Sequence, residues 1–258
     1  MSFLRAEKRA VRALCRIKLV IKAVTFDFWN TIATVPSGAM TEARQRAVAA
    51  ACESGDVEVE ADLLLASLER VGLDWERSWA QGRHLPPHEA AGALVRALGI
   101  EGAAREMVAE AFLGAGRQVE LEFAPGIHTC LEELDAREIR LGIVCDVGFS
   151  GGELLRDLLD AEGLLRHFDG WGFSDEVGHY KPAPQIFEAA LGALGTRPDE
   201  ALHVGDLRRT DVAGAAALGM TTARYRGLND ESEDMAEADF VIDSHDEVLD
   251  VISRLGRG

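Results

Sequence analysis

The sequence predicts an α/β protein built on a parallel sheet, with a block of helices inserted after the first strand. Residues 21–27 include Ile21, Ala23, Val24 and Phe26 without a regular alternation of apolar and polar residues, as expected of a strand that is buried on both faces. Between about 39 and 121 the apolar residues recur only at helical spacing. From residue 122 onward, short apolar runs alternate with helical patterns, which is typical of a parallel sheet covered by helices on both sides.

The individual elements follow from local signals along the chain. Glycines and prolines at 72, 82, 86, 87 and 99 separate the helices of the insertion, and Pro125-Gly126 precede an amphipathic helix. Pro182 is predicted to begin a helix, because the first turn needs no N–H donor. We expect further strands at about 141–145, 170–173, 201–204, 221–225 and 239–242, and further helices at about 152–161, 211–218 and 247–255.

We expect three parts in the chain. Residues 20–35 and 122–258 would form a Rossmann-like core, and residues 36–121 a helical cap over the carboxyl ends of its strands, where such sheets bind ligands. Residues 1–19 form a basic arm that contains six basic residues and one acidic residue, Glu7. An amphipathic helix, an import signal and an extension unrelated to the fold all remain open for this arm.

Composition limits the partners and the location that we expect. The formal net charge of −17 disfavours binding to nucleic acid or to an anionic membrane surface. The 4 cysteines have no CxxC spacing, so neither a zinc site nor a disulfide framework is predicted, and a reducing cytoplasmic location fits. No apolar run approaches the ~20 residues that span a bilayer. We expect a monomer or a homodimer.

Residues that carry chemistry stand at the predicted strand ends. Asp27, Cys145 and Asp206 each fall at the carboxyl end of a strand, and these ends share one edge of a parallel sheet. Asp211 follows Asp206 by five residues, and Lys181 is the only lysine after residue 22. Clustered carboxylates repel one another, so a lysine and a divalent cation are their natural neutralising partners.

These segments, in this order, resemble the four motifs of the haloacid dehalogenase-like (HAD) superfamily. The matching segments are Phe26-Asp27-Phe28-Trp29-Asn30-Thr31, Ile143-Val144-Cys145-Asp146, Lys181-Pro182, and Gly205-Asp206 with Asp211. The helical insertion is similar to the type-one cap of the subgroup that includes phosphoglycolate phosphatases, β-phosphoglucomutases, phosphonatases and L-2-haloacid dehalogenases. The implied fold is a HAD-type Rossmann-like parallel sheet with an inserted α-helical cap domain.

The resemblance also implies roles for individual residues. Asp27 would be the nucleophile, forming an aspartyl-phosphate in a phosphatase. The implied cofactor is Mg²⁺, held by the carboxylates of Asp27 and Asp206 and the main-chain carbonyl of Trp29, with Asp211 close by. Lys181 would pair with Asp27 and with the charge of the transferring group.

The expected substrate is a small, anionic, phosphorylated metabolite. Main-chain amides near Cys145 and Asp146 would hold phosphate oxygens, and Arg208 would hold a second anionic group. Basic and aromatic residues of the insertion are further candidates for substrate contact: Arg44, Arg46, Arg77, Arg83, His84, Trp75 and Trp79.

Two residues depart from the family pattern. Phosphatases of this family carry an aspartate two residues after the nucleophile, where it protonates the leaving alcohol, an effect of ~10²–10⁴ in rate. Trp29 stands there and cannot transfer that proton. Cys145 replaces the usual serine or threonine of the second motif, and a thiol is a weaker hydrogen-bond donor.

Three functions therefore remain open at the level of sequence. A phosphatase is favoured because the carboxylates of the implied metal site are present. L-2-haloacid dehalogenases carry tyrosine at the position of Trp29, since halide leaves without a proton, but they use no magnesium and typically have Ser-Asn where this chain has Gly205-Asp206. A degenerate member that only binds a ligand or a protein is the third. Phosphonatase activity is excluded, because residues 23–180 contain no lysine for a Schiff base.

Overall fold

The computed structural model describes residues 20–231 and 234–256, so the predicted basic arm at 1–19 lies outside the described residues. The strands are β1 (Ala23–Phe26), β2 (Ala33–Thr34), β3 (Glu122–Phe123), β4 (Arg140–Cys145), β5 (Phe168–Phe173), β6 (Ala201–Gly205), β7 (Thr221–Tyr225) and β8 (Phe240–Ile242). The helices are α1 (Ala39–Ser54), α2 (Ala61–Ala80), α3 (Pro87–Ala97), α4 (Ala104–Gly114), α5 (Ile127–Ala136), α6 (Gly152–Ala161), α7 (Ser174–Val177), α8 (Pro184–Ala193), α9 (Ala213–Leu218) and α10 (Asp246–Leu255).

A sheet of 6 parallel strands in the order β5-β4-β1-β6-β7-β8 forms the centre of the molecule. Side chains of α5, α6 and α10 pack on one face, and those of α8 and α9 pack on the other. Strand β1 is buried throughout, because Val24 and Phe26 enter the first cluster while Ala23 enters the second. The predicted α/β fold class is confirmed, and the absence of alternation in the first strand has this packing as its cause.

Helices α1 to α4 are inserted between β2 and β3 and have a hydrophobic cluster of their own. Val48, Leu68, Leu94, Val108 and Phe112 are buried in it, one or more from each of the four helices. Strands β2 and β3 pair antiparallel where the chain enters and leaves this insertion. The sequence did not predict this pair, because strands of 2 residues carry no periodicity. The cap boundaries at 36 and 121 stay a prediction.

Two predicted helix starts were wrong. Helix α8 begins at Pro184 rather than Pro182, because residues 180–183 form a turn in which the Ala183 N–H donates to the Tyr180 carbonyl at 3.0 Å. Helix α9 begins at Ala213 rather than 211, since a π-helical turn at Arg208–Val212 precedes it. In the two described ranges, no helix combines the length and the apolar character needed to cross a bilayer.

Candidate active site

Three aspartates meet at the carboxyl edge of the sheet. Asp27 follows β1 and Asp206 follows β6, and the register that pairs Phe26 with Val204 sets these two residues side by side. The carboxylates of Asp27, Asp206 and Asp211 are buried, with ligand atoms that all lie within 4.8 Å of one another. The convergence expected from the strand ends is therefore present in the fold.

Lys181 joins two of these aspartates. Its Nζ lies 2.7 Å from Asp27 Oδ1 and 2.7 Å from Asp211 Oδ1, and its side chain is only 3% exposed. Burial alone would lower the pKa of Lys181, but the charges of Asp211 and Asp27 outweigh it and raise that pKa well above its ordinary value. Lys181 is thus a permanent cation shared by two carboxylates.

The three carboxylates differ in how readily they carry charge. Burial raises the pKa of Asp27 well above its ordinary value, against the opposing effect of Lys181. Burial, together with the charge of Asp211, raises the pKa of Asp206 to about 7. Burial acts in the same direction on Asp211, but Lys181 and His203 outweigh it and lower the pKa of that carboxyl. One lysine does not compensate three carboxylates, so the cluster favours a further cation that prefers hard oxygen ligands.

Both oxygens of Asp211 are engaged by donors of the protein. Oδ1 accepts hydrogen bonds from Lys181 Nζ at 2.7 Å and from His203 Nε2 at 3.1 Å. Oδ2 accepts from the Leu207 main-chain N–H at 3.1 Å and from the Thr210 hydroxyl at 3.2 Å. These four hydrogen bonds hold the Asp211 carboxylate in place, and through it they position Lys181.

Three polar residues of this network were not predicted from the sequence. His203 and Thr25 are partners in the β1–β6 register, and Thr25 Oγ1 lies 2.9 Å from His203 Nδ1. Since His203 Nε2 donates to Asp211, Nδ1 is the acceptor for the Thr25 hydroxyl. Asn229, in the loop after β7, donates to Asp206 Oδ2 at 2.6 Å. His203 stands inside an otherwise apolar strand, and this polar residue was the sequence signal for the His203–Thr25 pair. No feature of the sequence around Asn229 indicated its contact with Asp206.

The loop after β4 contributes the predicted phosphate-binding residues. Cys145 is buried at the strand end, where burial and the charge of Asp27 raise the pKa of its thiol. Asp146 Oδ1 accepts the main-chain N–H of Lys181 at 2.9 Å, and Oδ2 accepts the indole N–H of Trp79 at 2.7 Å. The Asp146 side chain therefore supports the loop of Lys181 and contacts the helical insertion at the same time.

Aromatic side chains fill the boundary between the insertion and the core. Trp75 and Trp79 of α2 stack with ring centroids 5.5 Å apart, and Trp75 meets the edge of Tyr180 at 6.2 Å. The Tyr180 hydroxyl donates to the Leu85 carbonyl at 3.1 Å. The guanidinium of Arg209 lies 3.5 Å from the ring centroid of Trp79. The tryptophans predicted as substrate contacts thus border the loops that carry Asp146, Lys181 and Arg209.

The predicted basic residues have different surroundings. Arg46 and Arg77 form exposed ion pairs within their own helices, with Glu42 and Asp74 respectively. The Arg83 guanidinium donates to the Ser78 hydroxyl at 3.1 Å, the His84 ring lies 5.0 Å from that of Tyr180, and Arg208 pairs with Glu237 at 2.8 Å. Arg44 instead lines a cavity between the insertion and the loop after β4.

Trp29 borders the same cavity, which has a volume of about 260 Å³. Its ring meets Phe28 edge to face at 4.9 Å, and the side chain is half-buried. The turn that follows has Asn30 in a left-handed conformation with φ 56, and the Asn30 N–H donates to the Ala33 carbonyl at 2.8 Å. An indole therefore lies two residues after Asp27, at the wall of this cavity.

Comparison with known proteins agrees with this architecture. A family model described as haloacid dehalogenase-like hydrolase matches residues 21–219. The chain belongs to this family. The expected HAD-like hydrolase is thereby confirmed, and the match covers all four motifs that carried the resemblance.

Relatives of this HAD-like hydrolase carry several activities in their names. The chain is 30% identical over 248 residues to a glyceraldehyde 3-phosphate phosphatase of Methanopyrus kandleri, and the match covers 92% of this chain and 100% of that protein. It is 37% identical to a phosphoserine phosphatase of Thermus thermophilus over 140 residues, which is 54% of each chain. A HAD phosphatase structure from Thermococcus onnurineus superposes with a TM-score of 0.62 at 25% identity, covering 90% of this chain and 98% of that one.

A structure described as 2-haloacid dehalogenase, from Pseudomonas syringae, has a TM-score of 0.65 at 24% identity, and the match covers 91% of this chain and 99% of that chain. At this identity the likeness speaks for the fold only.

Proposed function

We propose that this HAD-like hydrolase is a magnesium-dependent phosphatase of a small phosphorylated metabolite, with Asp27 as its nucleophile. The observation that carries the proposal is Lys181, bonded to both Asp27 and Asp211 at 2.7 Å beside the carboxylate of Asp206. A relative that matches 92% of this chain is named as a phosphatase, which supports the same class of reaction.

The carboxylate cluster suits Mg²⁺, which prefers oxygen ligands. Asp27 and Asp206 would hold the ion together with the Trp29 carbonyl, while Asp211, whose oxygens already accept four hydrogen bonds, would lie beside it and position Lys181. Bound there, Mg²⁺ would supply charge neutralisation for the carboxylates and for the transferring phosphoryl group.

The reaction that these residues support has two steps. An oxygen of Asp27 attacks phosphorus, and the bond between phosphorus and the leaving oxygen breaks to leave an aspartyl-phosphate. Water then cleaves the aspartyl–phosphate bond and releases inorganic phosphate. Lys181 would stabilise the negative charge in both steps, and main-chain amides of the loops after β1 and β4 would bind the phosphoryl oxygens.

Trp29 limits the range of substrates. Since the indole cannot donate the proton that an alkoxide needs, we expect efficient turnover only with good leaving groups, such as those of acyl and aryl phosphates. The thiol of Cys145 does not fill this gap, because its raised pKa leaves it a protonated, weak donor.

Hydrolysis of a carbon–halogen bond is the competing function, and Trp29 is the observation that favours it, because a halide leaves without a proton. The complete carboxylate cluster argues against it, since Asp206 would have no metal to bind in such an enzyme.

The deciding experiment measures phosphate release from aryl, acyl and alkyl phosphates, and halide release from 2-haloacids, with Mg²⁺ and with EDTA. We expect Mg²⁺-dependent phosphate release that Asp27→Asn abolishes. Asp199→Asn, which changes an exposed aspartate paired with Arg197, is the matched control and should keep full activity. Halide release in the presence of EDTA would replace the phosphatase with a dehalogenase.

A further inference from the structure

The cavity next to Trp29 has a composition unlike the carboxylate cluster that it adjoins. Trp29, Val35, Met40, Trp75 and Phe149 give it apolar walls, and its volume of about 260 Å³ suits a small organic group. The loop after β4 closes it on the core side through residues 146–150. A ligand there would lie between the insertion and the two loops that flank the nucleophile.

Arg44 brings a cation to this apolar cavity. Its guanidinium carbon lies 5.0 Å from the ring centroid of Phe149 and 5.7 Å from that of Phe112. Its hydrogen bond to the protein is a long one, with Nη2 3.4 Å from the Ser150 hydroxyl. The two rings contact the guanidinium by cation–π interaction, which does not neutralise its charge.

Arg44 has no carboxylate partner among residues 20–231 and 234–256, and its buried Nε has no hydrogen-bond acceptor there. Burial lowers the pKa of Arg44 to about 10, which is the cost of keeping this charge from water. Arg44 is half-buried, but its Nε is shielded from water, and a charge partly withdrawn from water without a counter-ion is unfavourable. An anion that comes with a ligand would complete the site.

Building on the proposed phosphatase function, we propose that the substrate is a phosphomonoester whose organic part is a flat apolar group carrying a carboxylate, and that Arg44 binds this carboxylate. The planar guanidinium fork matches a carboxylate bidentately, and the walls of Trp29, Trp75 and Phe149 accept the flat apolar part. An aryl or enol phosphate of this kind also has a good leaving group, which is needed because Trp29 cannot donate a proton to it.

A carboxylate fits this cavity better than a second phosphate. Asp146 also lines the cavity, and its oxygens already accept hydrogen bonds from Trp79 and from the Lys181 main chain. A dianionic phosphate would be repelled by that carboxylate about twice as strongly as a monoanionic group. A single guanidinium therefore balances one carboxylate here.

The test compares the three carboxyphenyl phosphate isomers with phenyl phosphate and with phenylene bisphosphate. We expect wild-type kcat/KM for the best carboxyphenyl isomer to exceed that for phenyl phosphate by about ten- to hundredfold. Arg44→Met should reduce this ratio to about one, and Arg44→Lys should keep part of it. Arg46→Met, which changes an exposed arginine of the same helix paired with Glu42, is the control and should retain the whole preference.

The outcomes separate this inference from the proposed function. Hydrolysis of phenyl phosphate without preference for any carboxylated isomer, or a preference for the bisphosphate, would overturn the inference and leave the phosphatase standing. If no phosphate is released from any ester, the proposed phosphatase function is wrong. The binding of benzoate then tests separately whether Arg44 binds a carboxylate. Benzoate, but not benzyl alcohol, should quench tryptophan fluorescence in wild type and not in Arg44→Met; equal quenching in both proteins would refute the carboxylate site.

Discussion

The indole N–H of Trp79 donates a hydrogen bond to Asp146 Oδ2 at 2.7 Å, and this bond connects helix α2 of the insertion to the loop after β4. The other oxygen of Asp146 accepts the main-chain N–H of Lys181 at 2.9 Å. The side chain of Lys181 in turn contacts Asp27. One carboxylate thus couples the position of the insertion to the loop that carries the lysine.

Trp79→Phe removes this hydrogen bond and keeps an aromatic ring against Trp75. Asp146 Oδ2 then loses a donor in a partly buried position, a change of about 1–2 kcal/mol. We expect KM for an aryl phosphate to rise about threefold or more in steady-state kinetics. Trp171→Phe, a substitution on β5 against Phe173, is the control and should leave KM unchanged. Wild-type kinetics in the Trp79 variant would show that the bond does not influence the site.

Trp29→Asp places a carboxyl group two residues after the proposed nucleophile, where the resemblance to HAD phosphatases implies an acid. If the missing acid limits turnover, the variant should raise kcat for alkyl phosphates by about 10²-fold and change aryl phosphate turnover much less. Trp29→Phe serves as the control for the lost indole, since it makes the cavity larger without adding an acid. A folded Trp29→Asp protein with the same alkyl-to-aryl rate ratio as wild type would contradict this account of position 29.

The sequence was sufficient for the sheet and for the residues at its edge. Apolar runs located β1, β4 and β6, and a parallel sheet places the ends of such strands at one edge, so Asp27 and Asp206 were expected to meet. Residues whose contacts depend on tertiary structure were harder to predict. Asn229 reaches Asp206 across 23 positions in sequence, and no local pattern encodes that distance.

The contacts of His203, a residue within a strand, could not be predicted from the sequence either. Its neighbours are apolar, so periodicity assigns it to the core, and its hydrogen bonds to Thr25 and Asp211 follow from the strand register and the turn after β6. The positions of the strand ends also carry no information about Arg44, which lies in the helical insertion. Its helical position was clear from the sequence, but the lack of a carboxylate partner is a property of the packed insertion.

Gly172→Ala should destabilise the protein by about 1–3 kcal/mol or more, because a Cβ at this position of β5 would collide with the main-chain carbonyl of Ile186 in α8. The close approach of strand and helix, rather than a special backbone conformation, requires glycine here. Gly192→Ala is the matched control, since it adds a methyl group to the exposed side of α8 with no atom within 4 Å. It should stabilise the protein by about 0.5–1 kcal/mol, because alanine favours the helix. Urea denaturation measures both free energies of unfolding, and equal effects of the two substitutions would contradict the packing argument.

His245 should make the stability of the fold depend on pH. Its Nε2 donates to the Thr31 carbonyl at 2.8 Å, and its ring stacks on Tyr225 with centroids 4.4 Å apart. Its Nδ1 is buried without a partner among the described residues, so protonation would create an unpaired buried N–H. Burial lowers the pKa of His245 to about 4, from an ordinary value of 6.5.

The sign of this effect follows from the lowered pKa. Above pH 6.5 the histidine is neutral in both the folded and the unfolded chain. Between pH 6.5 and about pH 4, the unfolded chain binds a proton at this histidine and the folded chain does not. The free energy of unfolding therefore falls as the pH is lowered through this range, by roughly 3 kcal/mol in total. His245→Gln keeps an N–H donor for Thr31 and cannot titrate. The free energy of unfolding of this variant, measured in urea between about pH 8 and about pH 4.5, should therefore fall less steeply than that of wild type. His128→Gln removes an exposed histidine of α5 and should follow the wild-type curve; if His245→Gln follows it as well, His245 does not carry the acid sensitivity.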